Sequence, residues 1–175
     1  VSLDSESLAP ATGTAEGSTA TADSGYHFVN WTKDGVAVST DLHYIPAKVN
    51  GLNVAATYIA NFEEDDEITI KYEATTGGTV SLDSESLAPA TGTAEGSVAT
   101  ADSGYHFVNW TNKDGVVVGT SQEFIPEKVG GLNVAATYTA HFNRNSYTLT
   151  YKITGAYFPD DAHANETYEF GAAVT

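Results

Sequence analysis

The 175-residue chain contains no cysteine and no methionine, and it has few basic residues. Without cysteine it can form neither a disulfide nor a thiolate metal site, so packing and strand pairing must stabilise it. Its 7 lysine and arginine residues stand against 23 acidic ones, for a formal net charge of −16. Such a surface repels nucleic acid and anionic lipid, which are bound mainly through lysine and arginine. We therefore expect no nucleic-acid partner.

Long apolar runs are also missing, since no stretch approaches the roughly 18 residues needed to cross a bilayer. We expect no membrane insertion within this segment. Because methionine is absent, we expect the chain to be a segment of a longer protein whose targeting or anchoring signals lie outside it. Its acidity and its abundant Thr, Ser, Gly and Ala favour an extracellular location.

What the sequence does contain is one stretch that occurs twice. Val1 to Thr32 recurs as Val80 to Thr111 with a single difference, Thr19 against Val98. The match then continues beyond an inserted residue, Asn112. A tandem repeat makes one module, copied in series, the unit that has to be explained.

The repeat predicts three parts: a first module over 1–64, a second over 65–144, and the start of a third, divergent module over 145–175. The boundaries depend on where a module starts. If it starts at Val1, the strand beginning at Ile68 closes the first module, whereas in the other phase that strand opens the second. The sequence is compatible with both phases and with strands shared between modules.

Strand patterns dominate and indicate a mainly β fold. Residues 68–72 and 147–151 alternate with period two and are rich in β-branched and aromatic residues. The glycine pair at Gly77 predicts a turn into the second strand of a hairpin over 79–84, and 84–96 predicts a loop with weak helical or turn character. No segment has an apolar period of 3.6 residues over three turns. We predict small β-rich modules in tandem, with at most one short helix each.

An aromatic run near the middle of the module raises a question of side-chain direction. Tyr26 and Phe28 share one face of a strand, and strict alternation puts Trp31 on the other. Either both faces are partly covered, or a bulge redirects Trp31. Asp34-Gly35 then predicts a tight hairpin turn, and 52–62 predicts the last strand of the module.

Two motifs together point to a known family. Gly-Tyr-His-Phe-Val-Asn-Trp-Thr occupies 25–32 and 104–111, and Ala-Thr-Tyr-x-Ala-x-Phe occupies 56–62 and 136–142. The combination resembles the Listeria–Bacteroides repeat and divergent internalin B-repeat families of bacterial surface proteins, and it covers nearly the whole chain. The resemblance implies β-grasp-like modules in series on secreted or wall-attached proteins, mostly of Gram-positive and gut bacteria, with no catalytic residues. Here the last strand ends in Phe, where the family often has Trp.

We predict no catalytic, cofactor-binding or metal-binding residues. The chain has no Gly-x-Ser-x-Gly elbow and no phosphate-binding glycine loop, and its histidines lack zinc-ligand spacing. The acidic run Glu63–Glu67 lacks the spaced ligands of a calcium loop and is interpreted as a solvated linker, as is Phe158–His163. Lys71 and Lys152 lie on strands, where an isopeptide cross-link could form, but nothing in the sequence specifies one.

Trp31 and Trp110 allow two interpretations. With their aromatic neighbours they could form a platform on which a sugar stacks, but large aromatic side chains more often build a small core. We favour the core.

These observations predict a non-catalytic spacer or stalk that displays an adhesive domain of an extracellular, wall-attached or secreted protein. The alternative is a multivalent module that binds host glycan or protein weakly, with avidity arising from the series. Neighbouring modules are the expected partners, and we expect a monomer.

Overall fold

The computed structural model describes residues 1–150 and the backbone of 165–169. All regular structure in this part of the chain is β-strand, with no helix, which confirms the prediction of a mainly β repeat fold. The described residues fall into two compact units. Unit 1 comprises 1–67 with 88–92 and 129–133, and unit 2 comprises the remaining described residues.

Unit 1 has five strands: β1 (Ser18–Thr19), β2 (Tyr26–Lys33), β3 (Val36–Ser39), β4 (His43–Tyr44) and β5 (Ile59–Glu64). A three-stranded sheet has the order β3-β2-β5, and β1 pairs with β4. Asp34 and Gly35, between β2 and β3, have φ angles of 51° and 77°. Two consecutive positive φ angles are typical of the tight hairpin turn that Asp-Gly predicts.

A bulge settles the direction of Trp31. The pairing of β2 with β5 shifts register between Phe28 and Asn30, so Phe28 lies opposite Phe62 and Trp31 lies opposite Ala60. One extra residue in β2 returns the indole to the face that carries the Phe28 ring, 6.2 Å away between centroids. Of the two explanations offered by the sequence, the bulge is confirmed.

Unit 2 has ten strands in the described residues. Its five-stranded sheet has the order β11-β10-β13-β6-β8, a three-stranded sheet has the order β12-β9-β7, and β14 pairs with β15. The strands are β6 (Ile68–Ala74), β7 (Gly78–Val80), β8 (Ser84–Leu87), β9 (Ser97–Ala101), β10 (Tyr105–Asn112), β11 (Val117–Gly119), β12 (Glu123–Phe124), β13 (Ala136–Arg144), β14 (Ser146–Thr150) and β15 (Asn165–Glu169).

The core of unit 2 lies against the centre of its larger sheet. There β6 runs parallel to β13, with Ile70 opposite Ala136 and Tyr72 opposite Tyr138, and antiparallel to β8. The buried residues of the core are Ile70, Tyr72, Ala99, Trp110, Ala140 and Phe142. The strand beginning at Ile68 is therefore a central strand of the larger sheet of unit 2.

Three local predictions were wrong. The strand after Gly77 pairs with β9 and not with β6, whose antiparallel partner is β8. That partner lies inside 84–96, which was predicted as a loop. The last strand of the first copy begins at Ile59 instead of Leu52. In each case long-range pairing around the aromatic core determined the strand, and local turn and composition signals do not report such pairing.

Candidate functional site

Trp110 is the centre of the unit 2 core and is fully buried. Its indole meets the Tyr72 ring edge to face at 6.1 Å and stacks on the Phe124 ring at 5.6 Å, measured between centroids. The indole N–H donates a hydrogen bond to the Gln122 carbonyl, 3.2 Å away. A buried polar N–H is thereby satisfied, so the ring contributes packing without a desolvation penalty.

Trp31 is the counterpart of Trp110 in unit 1 and is 3% exposed, although among the described residues no ring corresponding to Tyr72 packs on it. Its indole N–H donates to the Leu42 carbonyl at 3.3 Å, and its ring packs on Phe28 and Tyr44. A platform for a sugar ring needs an exposed aromatic face, which neither indole offers. The interpretation of both tryptophans as core residues is confirmed.

Tyr72 connects this core to a carboxylate. Its ring stacks on Tyr138 at 6.2 Å, and its hydroxyl donates to Glu85 at 2.5 Å. The same carboxylate accepts the backbone N–H groups of Glu95 and Gly96, at 2.8 and 3.2 Å. Burial, and then the hydrogen bond to Glu85, raise the pKa of Tyr72 well above its ordinary value. Tyr72 therefore remains a neutral donor throughout the physiological range.

Unit 1 has an open groove at the corresponding place. Its volume is about 640 Å³, and its lining includes Glu6, Trp31 and Tyr58, which are the counterparts of Glu85, Trp110 and Tyr138. Glu6 accepts the backbone N–H groups of Glu16 and Gly17, at 2.9 and 3.1 Å, as Glu85 does in unit 2. This groove could not be predicted from the sequence, because the residues that line it are nearly identical in the two copies.

The acidic run Glu63–Glu67 is more ordered than predicted. Glu64 is the last residue of β5, and its carboxylate accepts the N–H groups of Ala90 and Thr91, at 2.7 and 2.8 Å, and the Thr91 hydroxyl at 2.8 Å. Asp65 Oδ1 and His27 Nδ1 are hydrogen-bonded, 3.1 Å apart. The interpretation as a solvated linker was therefore wrong for Glu64, whereas Asp65 is exposed, as that interpretation expects. Sequence comparison could not reveal the first contact, because Arg144 replaces Glu64 in the second copy.

Within the residues that the structure describes, the remaining candidate metal-binding and cross-linking residues do not come together to form a site. Within the described residues, no three His, Asp or Glu side chains are grouped to hold a metal ion. Lys71 is exposed on β6, and its register neighbours are Ser84 and Thr137, neither of which carries the amide that a lysine isopeptide bond uses. Lys152 and Phe158–His163 lie outside the described residues. In the same part of the chain no helix is long and apolar enough to cross a bilayer.

The fold of the described residues defines a class of protein. It consists of small all-β repeat units in tandem, each built around an aromatic core. The model of the divergent InlB B-repeat domain matches residues 2–66 and 68–146, and the chain belongs to that family. Its repeats are typical of bacterial surface or secreted proteins. Searches of curated proteins and of solved structures found no match to this chain.

Proposed function

We propose that this tandem repeat segment is a non-catalytic spacer that displays an adhesive domain of a wall-attached or secreted protein. The observation that supports the proposal is what the two copies share. The aromatic residues common to both, above all Trp31 and Trp110, pack inside cores, and their N–H groups are satisfied by backbone carbonyls. The copied element is thus a stable fold.

The composition of unit 1 supports the same role. It contains 88–92 and 129–133, two segments that belong to the second copy of the repeated sequence. Glu64 accepts three hydrogen bonds from Ala90 and Thr91, so the first copy uses residues of the next one in its own packing. Stability in repeat arrays is the sum of intrinsic and neighbour terms, and the number of copies sets the length.

The second candidate function is weak, multivalent binding of host glycan or protein. It requires a binding surface that recurs with each copy. The aromatic residues expected to form one are buried. The groove seen in unit 1 does not recur in the described part of unit 2, where β6 occupies the corresponding place beside β13. The structure thus favours the spacer.

A series of chains with two, four and six copies separates the two functions. A spacer shows no specific binding on a broad array of host glycans and matrix proteins at any copy number. A multivalent module shows binding that strengthens steeply with copy number, because avidity multiplies weak contacts. Steep strengthening would therefore reject the spacer proposal.

A further inference from the structure

We propose that the groove of unit 1 is a receptor for one extended polypeptide strand with the pattern Ile-x-Ile-x-Tyr, added parallel to β5. The occupant is a strand with the chemistry of Ile68–Tyr72. This proposal does not depend on the spacer role, since it concerns only which strand pairs with the edge of β5.

Unit 2 shows how such a strand is held. There β6 runs parallel to β13, and the pairing continues from Ile70 opposite Ala136 to Ala74 opposite Ala140. Beyond the strand, the Thr75 N–H donates to the Ala140 carbonyl at 2.9 Å, and the Thr75 hydroxyl accepts the Phe142 N–H at 3.1 Å. β6 and Thr75 therefore pair with the edge of β13 from Ala136 to Phe142.

The equivalent edge in unit 1 is open. Among the described strands β5 pairs only with β2, so it is the edge of its sheet. Ala140 is fully buried and Phe142 is 7% exposed, whereas their counterparts Ala60 and Phe62 are only half-buried. An exposed strand edge presents unpaired N–H and C=O groups and acts as a template for another strand.

The side chains of the groove are arranged for a tyrosine. In unit 2 the three groups that contact Tyr72 are the Glu85 carboxylate, the Trp110 indole and the Tyr138 ring. Their counterparts in unit 1, which are Glu6, Trp31 and Tyr58, all line the groove. Glu6 is already held by two backbone N–H groups, so its carboxylate is positioned before the tyrosine arrives.

The apolar positions of the strand also have places to pack. Leu82 and Leu87 pack against the core that contains Ile70, and Leu87 lies opposite Ile68. Their counterparts, Leu3 and Leu8, line the groove, and Leu3 is 36% exposed. An open backbone edge flanked by leucines suits an alternating apolar peptide. It does not suit a saccharide, which has no backbone to pair with β5 and prefers exposed aromatic faces.

The test is titration of the 175-residue chain with a synthetic peptide of residues 68–76, which includes Thr75 and carries no net charge. We expect saturable one-to-one binding and increased hydrogen-exchange protection of the amides in Ala56–Phe62. A Tyr72→Phe peptide should bind about tenfold more weakly, because it lacks one hydrogen bond to a charged acceptor. A scrambled peptide is the control and should not bind.

Two protein variants locate the tyrosine subsite. In Glu6→Gln the preference for the tyrosine peptide over the phenylalanine peptide should shrink, whereas Asp41→Asn, an exposed carboxylate with the same charge change, should keep it. Comparing the two peptides on one variant cancels general effects on folding. The proposal is overturned by no saturable binding at about 1 mM peptide or by equal binding of the scrambled peptide. It is also overturned by protection confined to amides outside Ala56–Phe62, or by self-association of the chain through this edge.

Discussion

Single aromatic residues with one polar contact each define this repeat. Trp31 and Trp110 bury their rings and direct their N–H groups to backbone carbonyls, and Tyr72 does the same with its hydroxyl and Glu85. In unit 2, which has no disulfide, Trp110 and Tyr72 are among the largest fully buried side chains. Replacing one therefore removes area and leaves a carbonyl or carboxylate without its donor.

Trp110→Ala should destabilise unit 2 by roughly 3–5 kcal/mol, since it empties the centre of the core. Urea unfolding followed by circular dichroism measures the change. Val116→Ala, which is 57% exposed in the parent, is the matched control and should stay within about 0.5 kcal/mol of the parent. A Trp110→Ala protein that unfolds at the parent's urea midpoint would place the indole on the surface and reopen the ligand interpretation.

The raised pKa of Tyr72 predicts a loss of stability in alkali. Its folded-state pKa exceeds the unfolded value near 10, so above that pH the unfolded chain holds fewer protons than the folded one. The free energy of unfolding then falls as pH rises, by at most about 1.4 kcal/mol per pH unit for one group. Burial also raises the pKa of Tyr44 and Tyr138, which add to the slope.

Urea midpoints measured between about pH 9 and 11 test this prediction. Tyr72→Phe should be less stable than the parent at neutral pH, because Glu85 loses a donor, but it should lose stability less steeply in alkali. Equal slopes in the parent and the variant would show that Tyr72 is not the group responsible.

At the scale of strands and turns, local chemistry was predictable and pairing was not. Asp34-Gly35 predicted its turn because only a few residue types tolerate positive φ. The spacing of Phe28 and Trp31 required either that both faces of β2 be partly covered or that the strand contain a bulge. The partner of β6 could not be predicted, because Gly77 indicates only that the chain turns. The burial of Ile70 and Tyr72 decides which strand lies beside it.

The groove of unit 1 and the contacts of Glu64 were equally inaccessible to sequence reasoning. Glu6 and Glu85 occupy identical sequence surroundings, yet only Glu85 has a tyrosine donor in the described structure. Whether a strand lies beside the carboxylate depends on long-range pairing. Glu64 stands in an acidic run whose composition indicates solvent, and only the position of Ala90 and Thr91 shows otherwise.

Glu64→Ala should destabilise unit 1 by about 1.5–3 kcal/mol, because it removes a charged acceptor from two backbone N–H groups and one hydroxyl. The two tryptophans allow each unit to be followed separately. In a Trp110→Phe background, Trp31 fluorescence during urea unfolding reports on unit 1. Glu63→Ala, an exposed neighbour with the same charge change, is the control. Equal midpoints for the two variants would mean that the Glu64 contacts do not stabilise the unit.

At the scale of the molecule, the sequences of the two copies match in the core residues and differ at the ends of β5 and β13. The sequence predicted the tandem organisation and the family, since both depend on residues that recur at fixed spacing. It also gives the formal net charge of −16. This tandem organisation is the basis of the proposed spacer role.

Small-angle scattering on the chains with two, four and six copies tests that central claim most directly. If the repeats are spacers, the maximum dimension should rise in proportion to copy number, because each copy adds a stable unit in series. A compact association of repeats would instead give a radius of gyration that grows with roughly the 0.38 power of chain length. Proportional growth supports the spacer, and the compact exponent contradicts it.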